Sequence, residues 1–136
     1  MRKITTPKYS CIILDDDRSA VEILKHYLRQ IDKLTLTSTF TDPIAAAAAF
    51  NTYQMIDFLF LDISMEVSGL DLARMLRKKV RYIIFVTAYK DFALEAFENG
   101  DAYLVKPVDF ATLLRSINYL IAKSKNQARL GKVPLD

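Results

Sequence analysis

Four short apolar runs along the chain end in the same way, each on a polar side chain. "CIIL" leads into Asp15, Asp16 and Asp17, "FLFL" into Asp62, "YIIFV" into Thr87, and "AYLV" into Lys106. A fifth run, "KLTLTSTF", is rich in β-branched residues and reads as a further strand. The four are continuous rather than alternating, as expected of parallel strands covered on both faces by helices.

Between the strands the apolar period lengthens to that of a helix. The strand Tyr9–Leu14 precedes "RSAVEILKHYLRQI", which places Ala20, Leu24, Tyr27, Leu28 and Ile31 at helical spacing. After the second strand, Asp42 and Pro43 form an N-cap and first helical residue ahead of "IAAAAAF", whose alanines favour helix and allow close packing on a sheet. The strand Ile56–Leu61 precedes "LDLARMLRKKV", with Leu70, Ala73 and Leu76 on one face. The strand Tyr82–Val86 precedes "DFALEAFEN", a short helix with Phe92, Ala96 and Phe97 inward, closed by Gly100. The strand Ala102–Val105 precedes a last helix capped by Asp109, in which Phe110, Leu113, Leu114, Ile117, Leu120 and Ile121 make the most regular apolar stripe in the chain.

The expectation is an α/β fold: a doubly wound, five-stranded parallel sheet of order 2-1-3-4-5 with five helices. Ligands of such sheets bind beyond the carboxyl ends of the strands, where the strand order reverses. Strands one and three are neighbours there, so Asp15–Asp17 and Asp62 meet.

A length of 136 residues with 51% hydrophobic composition suits one domain with a sizeable core. No apolar stretch approaches 18 residues and the start, "MRKITTPKYS", is polar, so a cytoplasmic protein without membrane contact is expected. Cys11 is the single cysteine and reads as a small buried hydrophobe. His26 has no second metal-ligand type beside it and reads as a surface or interface residue. The formal charge of +3 is uneven: residues 9–122 hold 12 bases against 15 acids, while both ends are basic. A mildly acidic body argues against direct DNA binding by the domain itself.

Clustered carboxylates repel and are costly to bury, so they need protons or a cation. A hard divalent ion with oxygen ligands resolves this, and Mg²⁺ takes one or two carboxylates together with phosphate and water. Mg²⁺, with Mn²⁺ as an alternative, is the expected cofactor. With that charge managed, Asp62 can act as a nucleophile toward a phosphoryl group, Thr87 can donate a hydroxyl hydrogen bond to a phosphoryl oxygen, and Lys106 can supply a point positive charge. Asp17 reads instead as the cap of the first helix.

The strings "IILDDD", "LFLDISM", "FVTAY" and "YLVKP" resemble the marks of the receiver domain of two-component response regulators, over essentially residues 9–122. The resemblance implies a flavodoxin-like receiver fold, with residues 1–8 as an N-terminal tail and 123–136 as a linker or C-terminal tail. It implies Asp62 as phosphoacceptor. Asp15 and Asp16, Asp62 and the Ser64 backbone carbonyl would be the metal ligands, with Asp16 the more direct of the acidic pair. Thr87 and Lys106 would bind the phosphoryl group, Tyr103 would be the aromatic switch residue, and Ser64 and Tyr89 would govern phosphoryl lifetime. It further implies a histidine kinase as partner, and homodimerisation through the face of the fourth helix, fifth strand and fifth helix. The domain would be a signalling phosphoacceptor rather than an enzyme.

"TAYKDFALEAFENGDAYLVKPVD" narrows the resemblance to receivers of the LytTR class, which carry a DNA-binding domain after the receiver. DNA contact would then come only through an output domain absent from this chain. One departure stands out: Met65 is followed by Glu66 rather than proline, and Gly69 lies seven positions beyond Asp62 where the pattern has eight. The alternative function is a phosphorylation-independent interaction and dimerisation module, in which Phe92, Ala93 and Phe97 could form a partner patch. Phosphatases of the haloacid-dehalogenase type also use an aspartyl nucleophile, but place a second carboxylate two residues on, where this chain has Ser64.

Overall fold

The computed structural model describes residues 8–65, 67–90 and 99–129. Its five strands are β1 (Tyr9–Leu14), β2 (Leu34–Phe40), β3 (Ile56–Leu61), β4 (Val80–Thr87) and β5 (Ala102–Val105). They form one parallel sheet of order β2-β1-β3-β4-β5, as the apolar runs predict. The helices are α1 (Arg18–Arg29), α2 (Pro43–Phe50), α3 (Gly69–Leu76) and α4 (Phe110–Arg129).

The helix count departs from expectation. The described residues hold four α-helices and a 3₁₀ turn at Arg77–Lys79, rather than five α-helices. Residues 91–98, which include Phe92, Ala93, Ala96 and Phe97 of the helix expected before β5, lie outside the described residues, as does Glu66. The segment read as one helix through Val80 is also divided. After Leu76 the chain tightens over Arg77, Lys78 and Lys79, and Val80 is taken by β4, where it pairs with Ile56. A β-branched residue at the mouth of a ladder gains more from the sheet than from continuing the helix.

The sheet divides the core into two layers. Cys11, Ile13, Phe58, Phe60 and Ile84 face α1 and α4, packing with Leu24, Leu28, Leu113 and Ile117. Ile12, Leu14, Leu59, Leu61 and Phe85 face α2 and α3, packing with Ala46, Phe50, Leu72 and Ala73. Each large side chain fully buried in these layers stabilises the fold by about 1.5–3 kcal/mol. Both faces are therefore closed by apolar packing. Three polar or charged residues, Asp15, Asp62 and Thr87, are nonetheless among the buried ones, and all three sit at the carboxyl ends of strands.

Local chemistry fixes the helix starts. Asp17 accepts from the Ser19 amide at 2.9 Å, Asp42 from Ile44 at 3.0 Å, Ser68 from Leu70 at 3.3 Å, and Asp109 from Thr112 at 2.7 Å. The first two and the last are the caps expected from the sequence. α4 continues to Arg129, past the point near residue 122 where the apolar period fades. Among the described residues, no helix is long and apolar enough to cross a membrane.

Candidate functional site

β1 and β3 are adjacent and in register, Leu14 opposite Leu61, so the next residue on each strand emerges at the same edge. The Asp62 amide donates to the Leu14 carbonyl at 3.1 Å, and the Asp15 amide donates to the Phe40 carbonyl at 3.1 Å. Sheet hydrogen bonding thus carries the backbone of both acids to the point where their side chains leave the core. Asp15 is 2% exposed and Asp62 6%, whereas Asp16 is open to solvent. Oxygen atoms of all three lie within 4.8 Å of one another.

Lys106, the first residue beyond β5, answers part of that charge. Its Nζ lies 2.7 Å from Asp15 Oδ2 and 3.3 Å from Asp62 Oδ2. Burial pulls the Lys106 ammonium down, but the hydrogen bond and charge of Asp15, with Asp62 behind it, outweigh this and raise it above its ordinary value. Burial pushes the Asp15 carboxyl up, against the downward pull of Lys106 and of the Asp17 amide, which donates to Oδ1 at 2.9 Å. Three carboxylates and one ammonium leave two negative charges uncompensated. A hard divalent cation with oxygen ligands matches both that charge and this donor set, so Asp15, Asp16 and Asp62 fit Mg²⁺.

Thr87 ends β4 fully buried, opposite Val105. Its carbonyl accepts the Lys106 amide at 2.8 Å, which ties the threonine and lysine ends together, and its hydroxyl accepts the Tyr89 amide at 3.3 Å. Tyr103 is half-buried on β5, and its hydroxyl donates to the Tyr89 carbonyl. Ser64 is exposed, and its contact with Asp62 is made by its amide, which donates to Oδ1 at 3.1 Å. The Lys106–Pro107 peptide is cis.

All the strand-end residues singled out from sequence therefore gather at one edge. Asp17 stands apart, its carboxylate committed to α1. Gly69 has a role that its position in the sequence did not reveal. A Cβ there would sit 2.1 Å from the Asp62 carbonyl oxygen, and the Gly69 amide donates to the Ile63 carbonyl at 3.0 Å. The loop after Asp62 closes directly onto the backbone of the acid, and only a hydrogen fits between them. A glycine at the start of a helix just after a site loop was the available signal.

A family model described as response regulator receiver domain matches residues 11–118. A response regulatory protein of Vibrio cholerae is 34% identical over 119 residues, covering 85% of this chain and 50% of that protein. The transcriptional regulatory protein BtsR of Escherichia coli K12 is 33% identical over 119 residues, 85% of this chain and 49% of its own length. The chain spans about half the length of these curated relatives. Among solved structures, the response regulatory domain of mrkE from Klebsiella pneumoniae superposes with a TM-score of 0.77 at 24% identity, covering 87% of this chain and 99% of that one. TrrA from Thermotoga maritima, solved in complex with Mg²⁺ and BeF, gives 0.70 at 29% identity, covering 82% and 98%.

Proposed function

Since the chain belongs to the response regulator receiver domain family, we propose that it is a phosphorylation-driven signalling switch in which Asp62 accepts a phosphoryl group from the phosphohistidine of a histidine kinase. The observation that carries this reading is the cluster of Asp15, Asp16 and Asp62 with Lys106 bridging two of them. An Asp62 oxygen forms the new P–O bond as the P–N bond of phosphohistidine breaks, and the imidazole nitrogen keeps the released electron pair and takes a proton. Hydrolysis reverses the charge state: water adds to phosphorus, the acyl phosphate P–O bond breaks, and inorganic phosphate leaves. Each round consumes a phosphodonor, so the domain works as a switch rather than a turnover enzyme.

Asp15, Asp16, Asp62 and the Ser64 carbonyl would hold Mg²⁺, with Mn²⁺ as a substitute. When bound, the ion offsets negative charge on the incoming phosphoryl oxygens. Lys106 is already drawn toward Asp62 and offers its ammonium to the same oxygens. Thr87 redirects its hydroxyl to the phosphoryl group, which changes its bond with the Tyr89 amide. Tyr89 also accepts from Tyr103, so a shift at Thr87 reaches the aromatic ring on β5 through one residue. Ser64 and Tyr89, exposed beside the site, control water access and hence the lifetime of the phosphoryl group.

The finer reading is a receiver of LytTR-class transcriptional regulators, acting in the cytoplasm. It takes residues 9–122 as the receiver and 123–136 as a linker or C-terminal tail, with DNA contact left to an output domain. Two features support it: the resemblance from "TAYKDF" to "LVKPVD", and coverage of only about half of relatives that include a transcriptional regulatory protein. Homodimerisation through the face of β5 and α4 belongs to the same reading.

The test is intact-mass spectrometry after acetyl phosphate treatment, with and without Mg²⁺, on the protein and on D62N. A Mg²⁺-dependent gain of one phosphoryl group that is absent in D62N is expected. Labelling that persists in D62N sinks the acceptor assignment. No labelling of either protein, with acetyl phosphate or an authentic kinase, leaves the constitutive interaction module as the reading.

A further inference from the structure

At the opposite end of the sheet a second ionic cluster holds the start of β5. Asp101, the residue just before that strand, takes both backbone groups of Ile83: its amide donates to the Ile83 carbonyl at 2.8 Å, and its Oδ2 accepts the Ile83 amide at 2.8 Å. The carboxylate also receives Arg77, with Nη1 at 2.7 Å from Oδ2 and Nη2 at 3.4 Å from Oδ1. Arg77 Nη2 reaches the Arg81 carbonyl at 3.4 Å as well, and Arg74 Nε donates to Asn99 Oδ1 at 3.1 Å. Gly100 lies between these contacts, so close to β4 that a Cβ would meet the Phe85 ring at 2.6 Å.

β5 is the strand that needs such an anchor. It has four residues, pairs on one side only, and has a single buried side chain, Leu104. A short edge strand has little apolar burial to fix its position. Its two ends are instead tied ionically: Lys106 to Asp15 and Asp62 at one end, Asp101 to Arg77 at the other. Tyr103 lies between the two ties.

We infer that the Arg77–Asp101 pair is a positioning clamp on β5, and that the transmission of a change at Asp62 to Tyr103 depends on it. This rests on the switch reading of Asp62. A phosphoryl group there alters the Lys106 tie and leaves the Arg77 tie intact. With its far end pinned, β5 cannot translate as a unit, and the altered pull is resolved locally, at Tyr103 and the Tyr89 carbonyl it holds. Without the pin the strand follows Lys106 and the ring keeps its surroundings. A bidentate guanidinium–carboxylate pair gives the directional hold that this task requires.

The experiment compares wild type, R77A, R77K and D101N by three readouts: labelling rate with acetyl phosphate, urea midpoint, and the change in amide chemical shifts of Ala102–Val105 on adding beryllofluoride with Mg²⁺. Ile83 is opposite Leu59, three residues before Asp62, so the clamp is offset from the acceptor by about 10 Å along the strands and lies two strands across from it. At that separation the two sites act almost independently, so labelling is expected to stay within about two-fold of wild type. The shift change at β5 is expected to fall by more than about half in R77A and D101N, with part of it recovered in R77K, which keeps one charged donor. A full wild-type shift change in folded R77A overturns the clamp, as does a loss of stability with an unaltered shift response. A wild-type protein that neither labels nor shifts overturns the switch reading itself.

Discussion

Gly69 shows how one hydrogen atom can decide whether a site forms. No positive φ is involved; the demand is for space, because the Asp62 carbonyl occupies the place a Cβ would take. G69A gains about 1 kcal/mol of helix propensity at the start of α3 but must push the Asp62 backbone aside, and overpacking of this kind costs about 1–3 kcal/mol or more. The expected outcome is a lower urea midpoint together with slower acetyl phosphate labelling, since the atom that must give way belongs to the proposed acceptor. Wild-type labelling at reduced stability would separate the glycine from the site. The residue types at the site were legible from sequence because a carboxylate, hydroxyl or ammonium at the end of an apolar strand has few structural uses. The pairings were not legible. Nothing in the spacing says that Lys106 approaches Asp15 more closely than Asp62, or that Gly69 touches the acid seven positions before it, since both depend on loop paths that have no periodicity.

Among the elements, α4 states its start most clearly in the sequence. Its apolar stripe puts Leu113, Ile117, Leu120 and Ile121 into the core, and Asp109 stands just before it. The Asp109 carboxylate accepts the Thr112 amide at 2.7 Å, and this bond holds its carboxyl below the ordinary value of 3.8. A group bound more weakly to its proton when folded contributes stability above its unfolded pKa, and that contribution is lost as pH falls through the folded one. D109A should therefore have a lower urea midpoint than wild type at neutral pH, and the gap should close progressively below about pH 4. A gap that is constant down to pH 2 would assign the effect to packing or backbone preference instead. The 3₁₀ turn at Arg77–Lys79 was hidden for the opposite reason. Arg and Lys are good helix formers, so local preference favours continuing α3, and it is the ladder partner of Val80, Ile56, well outside the local window, that ends it. The helix expected before β5 was read from the same kind of signal as α4, on a shorter and less regular stripe.

Across the molecule, the two ends of the sheet are electrostatically unlike. At the amino ends of the strands opposite charges pair, Arg77 with Asp101 and Arg81 with Asp57 at 3.7 Å. At the carboxyl ends three carboxylates share one ammonium, so folding concentrates a net negative charge that the unfolded chain would spread out. A divalent cation that binds only the folded cluster must then stabilise the whole domain. Above its dissociation constant the gain rises by about 1.4 kcal/mol per tenfold increase in free Mg²⁺. Urea unfolding across a Mg²⁺ series at constant ionic strength is expected to show this rise, and excess chelator to remove it. Holding ionic strength constant matters because general screening would also relieve the repulsion. D16N is the informative variant: Asp16 is exposed and is not one of the two carboxylates that Lys106 bridges, so its loss should raise metal-free stability slightly by relieving repulsion while shifting the Mg²⁺ dependence to higher concentration. If D16N and wild type follow the same Mg²⁺ curve, the gain comes from diffuse charge rather than a three-carboxylate site, and the metal assignment of Asp16 fails.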